Sequence, residues 1–217
     1  MGTKKLKGLE EFLENYPGMS VMPLIDGGLC LRGKFKFRAT VPGGDEIEDI
    51  YRLEIVIPVS FPNDLPSVKE TDGKITDEIA NGHLFSDGSL CLGSPLRLLK
   101  LINDNPNLNN FVNKCLVPYL YAISNKIRNG GGLLFGELDH GNPGITDDYI
   151  RLFGLKDHLR LAQTLQLLGL KKRIANKKPC PCGCGQRLGK CGFKNILNDF
   201  RKMAPVSWLK AHTLPFG

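Results

Sequence analysis

The alternation of apolar and polar residues predicts two long β-strands in the first half of the chain. The first lies within residues 29–41, where basic and hydroxyl side chains alternate with Phe35, Phe37, Ala39 and Val41. The second follows the turn-rich segment PGGDEIED and presents on one side Tyr51, Leu53, Ile55, Ile57 and Val59. This pattern is typical of strands with one buried face, so we predict an antiparallel hairpin. A short strand at residues 67–70 follows the ladder-breaking prolines Pro58, Pro62 and Pro66.

Helical spacing of apolar residues occurs on both sides of these strands. A first helix is predicted at residues 3–15, where one face carries Leu6, Leu9, Phe12 and Leu13, and Tyr16-Pro17-Gly18 ends it. A second is predicted at residues 108–127, and Pro118 inside it predicts a kink or a division. Further helices are predicted at 147–153 and 156–170. The order of helix, antiparallel strands, irregular loop and helices predicts an α+β fold.

The distribution of charge divides the chain at residue 170. Residues 171–217 carry eleven Lys or Arg and one acid, Asp199, a formal charge of +10. Residues 1–170 carry 18 basic and 21 acidic side chains, a balance of −3. We therefore predict a body at 1–170 and a basic tail at 171–217. Such a tail either contacts nucleic acid or acidic protein surfaces, or is simply a solvated segment.

Composition and the first residues indicate the class of protein. The chain is 41% hydrophobic and 24% charged, which is ordinary for a globular protein and excludes collagen-like and disordered classes. No apolar run approaches the roughly 18 residues that a membrane span needs. The opening MGTKKLKGLEEFLENYP carries charges where a signal peptide requires an apolar stretch. We therefore expect a cytoplasmic protein with no membrane partner, and reduced thiols rather than disulfides.

The seven cysteines fall into two groups. Cys30, Cys91 and Cys115 are dispersed, whereas four others lie within twelve residues near the C-terminus. Dispersed cysteines are usually buried, and Cys30 and Cys115 lie on apolar faces of predicted elements. Cys91 instead lies between two turn signals, Ser86-Asp87-Gly88 and Gly93-Ser94-Pro95, which favours exposure of its thiol. Thioester chemistry needs such a reachable thiolate.

Residues 58–92 resemble the ubiquitin-conjugating (E2) family. In that family a strand ends in a P-x-x-[FY]-P turn with a further proline, and this chain has Pro58, Phe61, Pro62 and Pro66. The Gly-x-[Ile/Leu]-Cys-Leu segment of the family is matched by Gly88, Leu90, Cys91 and Leu92. The family's His-Pro-Asn tripeptide falls on Asn81, Gly82 and His83, so it is altered here. The family's tryptophan after the cysteine is absent, since the single tryptophan is Trp208.

The resemblance implies a UBC-type fold over residues 3–128, with an N-terminal helix, a four-stranded antiparallel meander, an active-site loop and C-terminal helices. It also implies a chemistry for named residues. Cys91 would be the nucleophile that carries a protein C-terminus as a thioester and passes it to a lysine amine. His83 would either donate a hydrogen bond to the oxyanion or only brace the loop. The pair Asp139 and His140, in GELDHGNPG at 136–144, is a further catalytic candidate near the cysteine. No dissociable organic cofactor is expected.

The stretch after residue 128 resembles divergent bacterial E2-like proteins. Proteins of this kind occur in antiphage defence operons, including cyclic-oligonucleotide (CBASS) systems, where they conjugate the C-terminus of a cGAS-like nucleotidyltransferase to an amine. The implied partners are therefore such a nucleotidyltransferase or a ubiquitin-like protein, together with an E1-like activating enzyme. Two other functions stay open. One is a non-catalytic E2-variant binding module, and the other is a nucleic-acid adaptor acting through the basic tail.

The segment KPCPCGCGQRLGKCGF resembles the SEC-C zinc motif. Cys180, Cys182 and Cys191 fall on its first three ligand positions, while Gly192 stands where the last ligand is expected. A structural zinc site has four tetrahedral ligands, so Cys184 is the predicted fourth, with His212 as a remote alternative. A short tail cannot build a large core of its own, which makes a metal staple physically reasonable. We predict a structural Zn²⁺ held by Cys180, Cys182, Cys184 and Cys191.

Overall fold

A four-stranded antiparallel meander forms the sheet of this protein. The computed structural model describes residues 6–23, 28–132 and 142–212. The strands are β1 (Met19–Pro23), β2 (Leu29–Ala39), β3 (Ile47–Ile57) and β4 (Ser67–Glu70), and they lie side by side in chain order. Phe35 of β2 pairs with Tyr51 of β3, which confirms the predicted hairpin. The α+β class is confirmed by this sheet and the helices around it.

The helices have the following bounds. Up to residue 132 the helices are α1 (Leu9–Asn15), α2 (Asp77–Ala80), α3 (Pro95–Asp104), α4 (Leu108–Phe111) and α5 (Val117–Asn129). From residue 142 onward they are α6 (Asn142–Phe153), α7 (His158–Leu168), α8 (Lys172–Ala175), α9 (Lys194–Met203) and α10 (Val206–Ala211). Within the described residues, none of these helices combines the length and apolar character of a membrane span.

Strand β1 pairs with β2 because two glycines allow the backbones to approach. Met19 lies opposite Gly33, and Gly33 has a φ of +151° that L side chains rarely adopt. A Cβ at this position would collide with the carbonyl oxygen of Gly18. A side chain here would therefore force the two strands apart at the start of the sheet.

The buried face of the sheet packs against a long helix. Leu31, Phe35 and Leu53 of the strands are fully buried, as are Leu120 and Ile123 of α5. Most of the alternating residues that predicted β2 and β3 are therefore core residues, but Ala39 and Val41 are only half-buried and Val59, beyond the end of β3, is exposed. Burial of such side chains stabilises the fold by about 1.5–3 kcal/mol each.

Pro118 changes the helix without ending it. The predicted helix at 108–127 is present as α4, one π-helical turn at Val112–Leu116, and α5. Pro118 has no N–H to donate, and its ring crowds the carbonyl one turn earlier. The chain widens instead, and the Val117 N–H donates to the carbonyl of Val112, five residues back.

A polar cluster joins β3 to α5 beneath the sheet edge. The Tyr51 hydroxyl lies 2.7 Å from Ser124 Oγ, which donates to Asp49 Oδ2 at 2.8 Å. Lys74 Nζ lies 2.5 Å from Asp49 Oδ1. Burial raises the pKa of Asp49, but hydrogen bonds from Lys74, Ser124 and the Ile50 N–H outweigh it, so that its pKa is lowered. Tyr51 and Ser124 are almost fully buried, and each has its hydrogen-bond partner.

The described chain divides into two compact units. One contains the described residues to 93 together with 101–132, and the other contains 94–100 together with 142–212. In the second unit, the rings of Phe153 and Phe200 lie 5.2 Å apart, and Arg201 Nη2 donates to the Leu167 carbonyl at 2.6 Å. Helices α6 and α7 therefore share a core with the basic tail, and the predicted boundary at residue 170 falls inside this unit.

A buried carboxylate fixes the start of α3 within the second unit. Asp148 is 4% exposed and accepts a hydrogen bond from the hydroxyl of Ser94. Its Oδ1 also lies 2.7 Å from Arg97 Nε and 2.5 Å from Arg97 Nη2. Both carboxylate oxygens of Asp148 accept hydrogen bonds, and these bonds offset the cost of burying its charge.

Candidate active site and metal centre

A small hairpin at residues 83–91 carries the predicted nucleophile. Leu84 and Leu90 form an antiparallel bridge, and the Phe85 N–H donates to the Ser89 carbonyl at 2.8 Å. The turn is closed by Gly88, whose φ is +80°, and by Asp87, which accepts from the Ser89 N–H and hydroxyl at 3.0 and 2.6 Å. The turn signal that predicted exposure of Cys91 is therefore a real turn.

This hairpin is anchored to the sheet through β4. The Leu90 N–H donates to the Val68 carbonyl at 2.8 Å, and Ser89 bridges Lys69. On the other side, Asn81 ends α2 in the left-handed conformation with a φ of +51°. The position of the hairpin is thus set by main-chain bonds rather than by loose loop contacts.

The proline-rich segment before β4 is held by two hydrogen bonds. The Phe61 N–H donates to the Pro58 carbonyl at 3.0 Å, which closes a tight turn. The side chain of Asn103 donates to the Pro62 carbonyl at 3.1 Å, so the end of α3 holds this turn. Phe61 is 9% exposed and contributes to the core.

His83 and Cys91 lie opposite each other in the hairpin. The Cys91 N–H donates to the His83 carbonyl at 2.9 Å, which continues the register set by Leu84 and Leu90. The His83 N–H donates instead to the Ala80 carbonyl at 3.0 Å, so the pairing of the two chains ends here. The two residues singled out in this loop are therefore joined by one main-chain hydrogen bond.

Tyr119 is a residue of this site that the sequence analysis did not single out. Its hydroxyl donates to the His83 carbonyl at 3.1 Å. Burial, and after it the nearby charge of a Cys91 thiolate, raise the pKa of Tyr119. The sequence signal was Pro118, because the widened π-helical turn that precedes this proline sets where Tyr119 lies on the helix.

Cys91 differs from the other dispersed cysteines in its access to solvent. Cys30 and Cys115 are 5% and 3% exposed, which confirms their prediction as core residues, whereas Cys91 is half-buried. Burial raises the pKa of the Cys91 thiol, and a hydrogen bond from the Gly93 N–H offsets part of this effect. The group is therefore a reachable thiol that is protonated at neutral pH and must lose its proton to act as a nucleophile. Asp139 and His140 lie outside the described residues.

The four clustered cysteines meet around one point. Their sulfur atoms all lie within 4.8 Å of one another. Cys180 Sγ lies 3.2 Å from Cys182 Sγ, which lies 3.6 Å from Cys191 Sγ. A tetrahedral zinc with bonds of about 2.3 Å places its sulfurs about 3.8 Å apart, so this group is close enough to hold a metal ion and is compatible with zinc.

Main-chain hydrogen bonds shape this segment around the cysteines. The Cys180 N–H donates to the Gln186 carbonyl at 2.8 Å, and the chain reverses through Gly183 and Gly185, which have φ near +83° and +74°. The Phe193 N–H donates to Cys191 Sγ at 3.4 Å and is the main reason that the pKa of Cys191 falls to about 7. Such amide donors stabilise thiolate ligands.

His212 takes no part in the cysteine cluster. Its ring stacks on Trp208 with centroids 3.7 Å apart, and its Nδ1 lies 2.8 Å from the Trp208 carbonyl. Cys184, the most exposed of the four cysteines, completes the group instead. Of the two candidates for a fourth ligand, the described geometry favours Cys184.

Comparison with known proteins adds no family to these observations. No protein-family model, curated protein or solved structure matches the chain. The function proposed below therefore rests on the residues and on their geometry.

Proposed function

We propose that this chain is an E2-like acyl carrier and transferase. It takes up the C-terminus of a protein as a thioester on Cys91 and transfers it to a lysine amine. The observation that carries this proposal is the pairing of a half-buried Cys91 with His83 across the hairpin at 83–91. A core thiol such as Cys115 lacks this solvent access.

The reaction balances with the groups at hand. The Cys91 thiolate attacks the activated carbonyl of the donor, and the donor's leaving group departs with the electron pair. A lysine amine then attacks the thioester and loses its proton, and the amide forms as the thiolate leaves. In both steps negative charge develops on the carbonyl oxygen, which a hydrogen-bond donor stabilises.

His83 is the proposed oxyanion donor. An imidazole N–H can do what a side-chain amide does in this role. The His83 carbonyl accepts hydrogen bonds from the Cys91 N–H and the Tyr119 hydroxyl, and these bonds fix the backbone that carries the imidazole ring. Fixed donors stabilise developing charge without reorganising during the reaction.

The architecture supports the same assignment. Helix α1, a four-stranded meander, the hairpin with Cys91 and the helices α3 to α5 follow in the order that the E2 resemblance implies. The proposed donor is a cGAS-like nucleotidyltransferase or a ubiquitin-like protein, charged by an E1-like enzyme, in cytoplasmic antiphage defence. The cysteine cluster is proposed to hold a structural Zn²⁺, which would fix the fold of the basic segment.

The test is the chemistry of position 91. The chain is expressed together with its flanking genes, and its intact mass is measured with and without reducing agent. Wild-type protein should carry a partner in a bond that thiols cleave. Cys91→Ser should carry it as a more stable oxyester, because an alkoxide is a poorer leaving group than a thiolate. Cys91→Ala should carry nothing.

Two controls separate this mechanism from its rivals. Cys115→Ala removes a buried thiol and should leave the adduct intact, at a stability cost of about 1 kcal/mol. His83→Ala should slow transfer to lysine by about 10²–10³, and His83→Asn should restore most of that rate if the role is oxyanion donation. A lysine conjugate formed by Cys91→Ala would disprove the mechanism, and unchanged partner binding without any adduct would identify a binding module.

A further inference from the structure

The segment at residues 171–190 displays a cluster of exposed basic side chains. We call it the basic surface, and it comprises Lys171, Lys172, Arg173, Lys177, Lys178, Arg187 and Lys190. All seven side chains are exposed. None forms an ion pair with a carboxylate of the described residues, although other cations of the same unit do, as in Arg97–Asp148, Arg160–Asp157 and Lys202–Asp199. Their charge is therefore available to a partner.

These cations are carried by a folded scaffold. The Leu188 N–H donates to the Lys178 carbonyl at 2.9 Å, and Arg187 bridges Pro179 in an antiparallel pair. Lys178 and Arg187 thus lie on neighbouring positions of one ladder. Leu188, which follows Arg187, is fully buried, so the ladder is anchored in the core of its unit. A solvated, unstructured tail would not hold its charges in fixed places, whereas the backbone of this folded segment does.

The chemistry of the surface selects the partner. Protein interfaces depend on buried aromatic and apolar anchors, and single-stranded nucleic acids depend on aromatic side chains that stack with bases. Among the described residues that follow this segment, the aromatic side chains of Phe193, Phe200 and Trp208 are each at most 9% exposed. Ile174, 44% exposed, is the large apolar side chain that the surface offers. Phosphate groups of a duplex require only cations.

We propose that the basic surface binds the phosphate backbone of double-stranded nucleic acid without reading its sequence. Fixed cations without stacking residues neutralise phosphates and release counterions, which gives strongly salt-dependent binding. The proposal is independent of the acyl-transfer chemistry, since Cys91 belongs to the other unit. Loss of one activity therefore leaves the other measurable.

The test measures affinity as a function of salt. Full-length protein is titrated against fluorescent duplexes of about 20 base pairs, in two unrelated sequences, and against one single strand. If about five cations contact phosphates, log K should fall with log salt at a slope near −4.5, about 500-fold between about 50 and 200 mM. Both duplexes should bind alike and more tightly than the single strand.

A matched pair of triple variants assigns the effect to the surface. Lys171→Gln, Lys172→Gln and Arg173→Gln together should flatten the slope by about 2–3. The control replaces three exposed lysines of the other unit by glutamine, at Lys7, Lys34 and Lys114, and changes net charge equally. The control should keep the wild-type slope. Equal loss in both variants, tighter binding of the single strand, or tighter binding of polyglutamate would overturn the proposal.

Discussion

The pKa of the Cys91 thiol lies above its ordinary value, because burial disfavours the thiolate. A raised pKa keeps the group protonated at neutral pH, so reactivity must rise with pH through the neutral range. Alkylation of Cys91 by iodoacetamide should accelerate about tenfold per pH unit between about 7 and 9. Quantitative mass spectrometry of its peptide measures this rate, with a free cysteine peptide of pKa about 8.5 as reference. A plateau below the reference would contradict the assigned environment.

The sequence identified Cys91 but not its surroundings. Its position between two turn signals and within a family-like motif was readable from local residues. The raised pKa and the hydroxyl of Tyr119 depend on α5, which lies far along the chain, so no local pattern could report them. The pairing of His83 with Cys91 follows from a register that only the folded hairpin fixes.

At the scale of elements, the Asp49 cluster couples β3 to α5 in a pH-dependent way. The folded pKa of Asp49 is lowered, so its contribution to stability is present above the unfolded pKa near 3.9 and is lost as pH falls through the folded value. Asp49→Asn should therefore destabilise the protein at pH 7, and the difference from wild type should shrink towards pH 2. Urea unfolding at several pH values measures it.

The control for this prediction lies on an exposed strand face. Glu48, next to Asp49, pairs with Lys36 and Arg38 at the surface. Exposed pairs contribute little because water and salt screen them, so Glu48→Gln should change the free energy of unfolding less than Asp49→Asn. A larger effect at Glu48, or a pH-independent effect at Asp49, would contradict the role of the cluster.

The elements that the sequence predicted are those with long periodic patterns. Strands β2 and β3 alternate over eleven residues each, and this periodicity survives in their burial. Strand β1 has only five residues and no alternation, and its place depends on the close approach of Gly18 and Gly33. Helix α3 was not predicted, because Gly93-Ser94-Pro95 indicated a turn rather than the start of a helix.

At the scale of the whole molecule, metal binding should stabilise one unit selectively. The cysteine cluster lies in the unit that contains α6 to α10. Purified protein should contain about one zinc per chain by elemental analysis, and chelation should increase hydrogen exchange at 180–191 and in α9. The strands β2 and β3 should keep their protection. Cys180→Ser should lose the metal and Cys115→Ala should keep it.

Other results would reject this assignment. Retention of protection at 180–191 after complete chelation would show that the cysteines are not a structural centre. Uniform loss of protection in both units would show that the metal does not act on one unit. Either result is independent of Cys91, which is not a member of the cluster.

Charge and packing divide this chain at different places. The step in charge at residue 171 was visible in the sequence, and it predicted a body followed by a tail. Contacts group α6 and α7 with the tail instead, since Phe153 meets Phe200 and Arg201 reaches the Leu167 carbonyl. The charge of a segment reflects the solvent and partners that its surface contacts, whereas the compact units reflect the burial of apolar side chains. The boundary in charge and the boundary between units therefore need not coincide.

The placement of Ser94 and Arg97 beside Asp148 has a consequence for synthesis on the ribosome. Residues 94–100 emerge within the first unit but complete the second, so they must wait for Asp148 to be translated. Translation at about 5–20 residues per second makes this interval last for seconds. During it, Leu96 and Leu99, fully buried in the finished protein, lack the residues of their unit that are still untranslated. We therefore expect this apolar segment to be open to chaperones until residues 142–212 have been made.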